Sequence, residues 1–459
     1  MFVDDTMNEY DVVVIGSGSG GIIVEKALAK DLKVAWIDKG PLGGTCLNVG
    51  CIPSKMLIYP ADKIIEAKEV EKLGCQMKFI DFNFTGIMNR IKQTIAENQK
   101  KIKIWIAGEK NLDFYKGEAR FIGEYTLEIN DKEIYGNKIF IASGSRSHIP
   151  SIVTLDQSDY LTNESVFHLK EKPKSILIIG GGYIASEFGH FFATLGSDVT
   201  ILQRWDRILP NEEPEISTLL KKQMNKRMKV LTDTEAIEII PSIPQYTVIG
   251  KNRINGEKKR FKAEKIMIAT GRQSNVDILR VENTRINVDK KGYIKVNNYL
   301  ETTKKNIWAF GDAIGRFMFR HVANREAEVA WHNSIHKHKS LMSYHAIPHA
   351  VFTHPQIASV GLTEAEAKKN HHILVGKAYY SDVAMGWAMM EKNGFAKAIV
   401  EKNTKKILGF HIIGPNASIL IQEVVNVMTS NGNISSLADS MYIHPALSEL
   451  IPAAVNNIK

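Results

Sequence analysis

Cysteine is scarce: three residues in a chain of 459, at positions 46, 51 and 75. So few exclude a disulfide scaffold and fit a reducing compartment. No apolar run reaches the ~18 uninterrupted residues of a membrane span, so no membrane partner is expected. The opening MFVDDTMNEYDVVVIG has acids where a secretory leader needs bases, and its short apolar run ends in glycine. The expected address is therefore cytoplasmic. Basic residues exceed acidic ones, 59 to 50. The lysines are scattered, as over 221–229 and 258–265, without aromatic interleaving, so no nucleic-acid partner is expected. With 44% hydrophobic and 24% charged residues the chain is an ordinary globular one, long enough for about three domains.

Two of the cysteines stand together in Gly43-Gly44-Thr45-Cys46-Leu47-Asn48-Val49-Gly50-Cys51-Ile52-Pro53-Ser54-Lys55. If 46–55 begins a helix, the sulfurs come from adjacent turns and a small loop could bridge them. Such a bridge closes too short a loop to be a useful staple. A helix N-terminus favours the thiolate and lowers the thiol pKa from about 8.5. Two buried structural thiols, or half a zinc site, are the alternatives. Zinc would need further Cys or His ligands in a comparable cluster, and none stands nearby, so no metal site is expected. The segment reads as a redox pair.

Upstream, the apolar run Asp11–Ile15 ends in Gly16-Ser17-Gly18-Ser19-Gly20-Gly21, then a helical stretch to Lys30 and a second apolar run, Lys33–Ile37, ending in Asp38. In this unit Gly16 permits a tight turn, Gly18 lets a pyrophosphate approach, and Gly21 allows close helix–strand packing. The helix N-terminus offers N–H groups to phosphate and Asp38 can accept from a ribose hydroxyl. The same order returns at Ser175–Ile179, Gly180-Gly181-Gly182-Tyr183-Ile184-Ala185 and Asp198–Leu202. There Ala185 takes the third small place and Gln203 stands where an acid is expected, followed by Arg204 and Arg207. An arginine in place of the acid suits a 2′-phosphate, so NADPH is favoured over NADH, although both arginines would equally decorate a surface.

Between the units lies a helical segment, roughly 60–108, then short strands and the apolar strand Lys138–Ile141 leading into Ala142-Ser143-Gly144-Ser145-Arg146. A similar phrase, Ala269-Thr270-Gly271-Arg272, closes the second unit. Asp312, after Gly311 at a strand end, would hold a sugar-like chain or cap a helix. From His345 onward the glycines no longer form phosphate loops, and a third, α+β domain is expected. Near its end His444 precedes Pro445, with Glu449 five positions on. By spacing alone that pair reads as structural sooner than catalytic.

These residues together resemble the pyridine-nucleotide–disulfide oxidoreductases, the family of dihydrolipoamide dehydrogenase, glutathione reductase, mercuric reductase and mycothione reductase. The likeness runs in order over nearly the whole chain: GSGSGG, GGTCLNVGCIPSK, GGGYIASE, ATGR, FGD and HPALSE. Within the family it looks most like the mycothione reductases, through WIDKGPLGGTCLNVGCIPSKM, RHVANREAE, AVFTHPQIASVGLTEAEA and SDVAMGWAM. The resemblance implies an α/β fold with two Rossmann-like dinucleotide-binding domains and a C-terminal α+β dimerisation domain. It implies FAD bound by 1–149 and 273–343, a nicotinamide cofactor (NADPH, or NADH) on 150–272, and dimerisation through 344–459.

Cys51 is then the sulfur near the flavin and Cys46 the one that exchanges with substrate, while Lys55 and Glu187 form an ion pair beside the flavin. Tyr183 would cover the flavin until the nicotinamide displaces it. Asp312 would bind the ribityl chain and Asp38 the adenosine ribose. Lys39, Gly44, Thr45, Ser143, Gly144, Gly271 and Gly311 extend the cofactor set of Gly16, Gly18, Gly21, Gly180, Gly182, Ala185, Gln203 and Arg204. His444, held by Glu449, would serve as acid–base on the cysteines of the second subunit of a homodimer with a shared active site. Pro210 stands where glutathione reductase has a further basic residue. No N-terminal metal-binding extension or C-terminal cysteine pair is recognised, which counts against a mercuric reductase. The expected reaction is NADPH-driven reduction of a low-molecular-weight disulfide. Dihydrolipoamide oxidation with NAD⁺ is the alternative, and a flavin-bearing adaptor without turnover a remote one, since both cysteines and the His–Glu pair are intact.

Overall fold

The structure, a computed structural model, describes residues 7–242 and 244–459; the first six residues of the segment read above as unlike a leader lie outside these. The chain divides into two compact units, one from residues up to 53, 88–148 and 272–343, the other from 54–87, 149–271 and 344–459.

The first unit is built on a sheet whose strands run in the order Leu112–Lys116, Val34–Asp38, Asn8–Ile15, Lys132–Ile141, Thr126–Ile129 and Arg120–Phe121, with Ile307–Ala309 also pairing Lys132–Ile141. Its central pairings are parallel: Val12 lies opposite Val34 on one side and Lys138 on the other. A parallel strand is covered on both faces, which is why Val12, Val13 and Val14 form an unbroken apolar run, all fully buried. Helices Gly20–Leu28 and Arg320–Ile335 pack against each other.

The second unit carries three sheets. Four parallel strands run in the order Lys229–Leu231, Asp198–Leu202, Ser175–Ile179 and Lys265–Ile268. A three-stranded antiparallel sheet of Thr234–Ser242, Gln245–Asn252 and Lys258–Ala263, not foreseen from the sequence, follows the second glycine unit. The third sheet orders Pro348–Val351, Ile357–Gly361, Ile407–Ile413, Phe395–Glu401 and Ile373–Tyr379, and helices Ala417–Thr429 and Leu450–Asn456 pack on it.

Two expectations are corrected. Residues 46–55 are not one helix: a short helix Gly44–Asn48 stops, the backbone turns at Val49 (φ −144°), and a second helix runs Cys51–Glu69. Asn48 causes the stop, its amide nitrogen donating to the carbonyls of Pro41, Leu42 and Gly44 and closing the short helix on itself. The helical segment also starts at 51 rather than 60. Pro60 lies inside the helix, because the buried Leu57, Ile58, Ala61, Ile64 and Ile65 hold it in place despite the missing proline N–H. Gly74, with φ +83°, closes the turn Val70–Leu73 that follows, and the next helix is Phe84–Gly108.

Candidate active site

In the first unit the strand Asn8–Ile15 delivers Gly16 at φ +110°, where a Cβ would fall 2.2 Å from the Ala142 carbonyl oxygen, so only glycine fits. Asp38 ends the adjacent strand. Its Oδ2 accepts from the Ser17 N–H at 2.5 Å and its Oδ1 from the Gly40 N–H at 2.7 Å. Each oxygen keeps a second lone pair for a ligand hydroxyl. The parallel pairing of Asp38 with Lys116 brings Gly117 beside it, and its N–H donates to the Asp38 carbonyl at 3.1 Å. A pocket opens here, lined by Gly16, Asp38, Lys39, Gly117, Ser143 and Asn275 among others. Lys39 pairs with Glu118 at 3.2 Å across its exposed rim.

The dithiol segment leans on the same loop. Gly44 has φ +63°, and a Cβ there would lie 2.7 Å from the Cα of Gly18. The Gly43 N–H donates to the Ser17 hydroxyl at 3.0 Å. Thr45 accepts the Val49 N–H that ends the short helix, at 3.0 Å. Cys46 is half-buried and Cys51 exposed, at the start of its helix, and both are thiols. Their sulfurs are hydrogen-bonded. That bond, then burial, then the charge of Cys51 push the Cys46 thiol far up, while Arg320 pulls it down. The expected lowering therefore fails at Cys46: the bond to the second sulfur and burial outweigh the pull of Arg320. Arg320, first residue of the helix Arg320–Ile335, was missed from sequence.

The two Ala-Ser/Thr-Gly phrases meet. Ser145–Ser147 pairs antiparallel with Arg272–Ser274, and Asn275 donates to the Ser143 carbonyl at 2.9 Å and, through its backbone N–H, to that of Gly144 at 3.3 Å. Asp312 does not cap the turn Gly311–Ile314. Its Oδ2 accepts from the Ser145 hydroxyl at 2.5 Å and lies 3.7 Å from Arg272 Nε. Glu326, fully buried and also missed, accepts the Gly311 N–H at 2.7 Å.

The second unit repeats the first loop closely. Gly180 has φ +118°, and its Cβ would fall 2.2 Å from the Ala269 carbonyl, as Gly16 meets Ala142. Gly182 precedes the helix Tyr183–Thr194, Ala185 is buried within it, and Gly271 has φ +123°. Gln203 is buried: its side chain lies against Gly181 and donates to the Arg207 carbonyl at 3.1 Å, so it turns inward. Arg204 is exposed beside Trp205. The Tyr183 hydroxyl donates to Glu212 at 3.1 Å, and Glu212 also meets His349 at 2.6 Å and Ser359 at 2.8 Å. Burial opposes the Glu212 charge, yet His349 and Ser359 more than offset it and hold its carboxyl below the usual range.

Lys55, one turn into the redox helix, pairs bidentately with Glu187 at 2.8 and 2.9 Å and sits 4.5 Å above the Phe352 ring centroid. The Phe352 N–H fixes the same carboxylate at 3.0 Å. At the far end of the chain His444 Nδ1 lies 2.9 Å from Glu449 Oε1, while Oε2 accepts the Ala446 N–H at 3.0 Å. These two bonds hold Glu449 below the ordinary carboxylate range, His444 first. The imidazole is 71% exposed, with Met441 and Ile443 beside it fully and largely exposed.

A pyrophosphate-type glycine loop packed backbone to backbone on a dithiol segment places this chain among the dinucleotide-dependent dithiol–disulfide oxidoreductases. It belongs to the pyridine nucleotide-disulphide oxidoreductase family, which matches residues 10–327, with the family's dimerisation domain at 347–455. It is 32% identical to a mycothione reductase of Mycobacterium tuberculosis over 99% of this chain and 100% of that protein. It is 31% identical to the dihydrolipoyl dehydrogenase of Bacillus subtilis, covering 97% of each. Among solved structures it resembles the HOCl-induced flavoprotein disulfide reductase RclA of Escherichia coli, as its Cu(II) complex, with TM-score 0.87, 28% identity, and 98% and 99% of the two chains covered. No helix among the described residues is long and apolar enough to cross a membrane.

The family's enzymes are FAD-dependent and take electrons from NAD(P)H. The residues present fit a flavin nucleotide: Ser143, lining the pocket at Gly16 and Asp38, has a buried hydroxyl with no hydrogen-bond partner among the described residues. A polar ligand there would satisfy it.

Proposed function

We propose that the chain reduces a low-molecular-weight disulfide with NADPH through the Cys46–Cys51 pair, as a mycothione-reductase-like enzyme. Gly16, Gly18, Asp38, Ser143 and Asp312 would hold FAD, which would supply the two-electron relay between the nicotinamide and the protein disulfide. Reduction leaves Cys51 as the thiolate and Cys46 as the thiol. The hydrogen bond between the two sulfurs, which with burial holds the Cys46 thiol above its ordinary value, carries this assignment. A thiol held so high needs a base. His444 of a second copy takes the proton on Nε2, its Nδ1–H bonded to Glu449.

The Cys46 thiolate then attacks one sulfur of the substrate, forming a mixed disulfide and releasing the first thiolate, which takes the proton from His444. The Cys51 thiolate attacks Cys46, restoring the internal disulfide and releasing the second thiolate, which is protonated from water. Gln203 and Arg204 in place of an acid support NADPH. The dimerisation domain and the exposed Met441, Ile443 and His444 support a homodimer with a shared site.

Anaerobic NADPH titration tests the relay. A long-wavelength thiolate–flavin band appears in the wild type and is absent in Cys51→Ser; no band, or its persistence in that variant, overturns it. Kinetics with lipoamide, glutathione, mycothiol, coenzyme A and bis-γ-glutamylcystine disulfides, each with NADPH and NADH, names the substrate. A high kcat/KM with dihydrolipoamide and NAD⁺ would instead establish the dehydrogenase reading, which the relative from Bacillus subtilis keeps in view.

A further inference from the structure

The turn between the two cysteines is clasped by one side chain, and that side chain is itself held from a distant helix. The chain doubles back after Thr45: the Val49 N–H reaches the Thr45 carbonyl at 3.0 Å, and a Cβ on Gly50 would stand 2.9 Å from the same oxygen. Both cysteines are thiols, and their sulfurs are hydrogen-bonded. Asn48, which lies between them in sequence and is buried, spreads its amide nitrogen over the carbonyls of Pro41, Leu42 and Gly44. Its oxygen accepts from Gln99 Nε2 at 2.6 Å. Turned over, the amide would set that oxygen against three carbonyl oxygens. Gln99 therefore fixes which way the clasp points.

Gln99 stands on the helix Phe84–Gly108, 51 residues beyond Asn48 and outside every glycine and cysteine motif. The helix is anchored. Ile91 is fully buried, and Trp105 meets Trp36 edge to face with ring centroids 6.0 Å apart. Trp36 in turn donates through Nε1 to the Gly16 carbonyl at 3.1 Å. A donor on an anchored helix holds the turn more precisely than the turn holds itself.

The clasp matters differently in the two redox states. Once a disulfide forms, the S–S bond keeps the turn closed whatever Asn48 does. In the dithiol, closure rests on the backbone contacts and the Asn48 clasp. With the clasp loosened, the reduced turn opens and gains chain entropy that the bridged turn cannot, so the reduced form is favoured.

We infer that Gln99 is a positioning residue for the redox pair: by orienting Asn48 it keeps the dithiol folded in the shape of its disulfide and holds the reduction potential of the couple low. This rests on the redox reading of Cys46 and Cys51 above, and is independent of the substrate and of the choice of nicotinamide.

The test equilibrates the flavin-loaded protein with reduced and oxidised dithiothreitol in graded ratio. One cyclic dithiothreitol disulfide takes two electrons and two protons from the protein dithiol, giving the protein disulfide and one dithiothreitol dithiol. Acid quenching, alkylation and mass spectrometry of the peptide carrying both cysteines read the bridged fraction. Gln99→Met keeps the volume without the donor and lowers the equilibrium constant for bridge formation about tenfold, a rise in potential of about 30 mV. Asn48→Ala moves it the same way by at least as much, and adding Gln99→Met to that variant changes nothing further. An unchanged constant in Gln99→Met overturns the inference. Additive shifts in the double variant overturn it too, because Gln99 would then act other than through Asn48. A wild type that forms no Cys46–Cys51 bridge at any ratio brings down the redox reading itself, and the positioning role with it.

Discussion

His190 Nε2 lies 2.8 Å from Asp62 Oδ1, joining the redox helix Cys51–Glu69 to the helix Tyr183–Thr194. The imidazole is fully buried, and Arg227 donates to its Nδ1 at 2.9 Å. An arginine cannot accept, so Nδ1 is the acceptor and the proton rests on Nε2, facing Asp62. Along the redox helix Lys55, Asp62 and Glu69 each meet a partner: Glu187, His190 and His354. Their even spacing sets them on one stripe of the helix.

Asp62→Ala leaves a buried N–H unpaired and lowers stability by about 1–3 kcal/mol in urea unfolding, and Asp62→Asn by less, because its carbonyl still accepts. Burial first, then Arg227, depress the His190 pKa, against the pull of Asp62. The native imidazole is therefore neutral while the unfolded one charges below about 6.5. Since the unfolded state binds the extra proton, stability falls as pH drops below that value. His190→Gln flattens this acid limb; an unaltered slope would contradict the neutral assignment.

The Cys46 thiol is raised chiefly by its bond to Cys51 and lowered by Arg320. Cys51→Ser removes the largest cause, so the pH midpoint of Cys46 alkylation by iodoacetamide moves down. Arg320→Met moves it up. Midpoints that stay put would show that neither group acts on Cys46.

Glu449 is kept ionised below the ordinary carboxylate range by His444. Glu449→Ala lets the imidazole turn. Disulfide reduction should slow about tenfold, and in His444→Ala by about 100-fold or more, while anaerobic reduction by NADPH proceeds normally. Stopped-flow measurement of the two half-reactions separates these effects; a loss in the NADPH half instead would remove His444 from the substrate side.

Lys397 is buried on the strand Phe395–Glu401 among Glu213, Glu215 and Glu364, at 2.8, 3.1 and 2.6 Å. These carboxylates are the only group among the described residues close enough to hold a metal, and the ammonium already occupies their centre. Lys397→Met leaves Glu213 buried and unpaired, costing about 3–5 kcal/mol by denaturation. Lys368 and then Lys397 hold Glu364 below the carboxylate range. The stability this supplies is present above a pH of about 4.3 and is lost as the pH falls through the depressed native pKa, so the variant unfolds with a shallower acid dependence than the wild type.

The geometry of the candidate site was legible wherever it depends on local backbone. Gly16 and Gly180 are forced by positive φ and a carbonyl oxygen 2.2 Å from where a Cβ would stand, so they recur as a pattern a reader can find. The cysteines and His444-Pro445 with Glu449 are likewise close in sequence. What could not be read depends on chains meeting across sheets. Gly117 reaches Asp38 only through strand register, and Arg320 reaches the thiols from the start of a distant helix. Asn48 broke the expected helix by folding its amide onto three carbonyls, a competition that propensity does not register. The direction of the Cys46 shift was missed for the same reason: a helix end acts locally, but the second sulfur lies beyond a turn and outweighs it. Sequence determines which groups are available; register and packing decide which of them meet, because electrostatic and hydrogen-bond energies depend on distances of a few ångströms that sequence separation does not set.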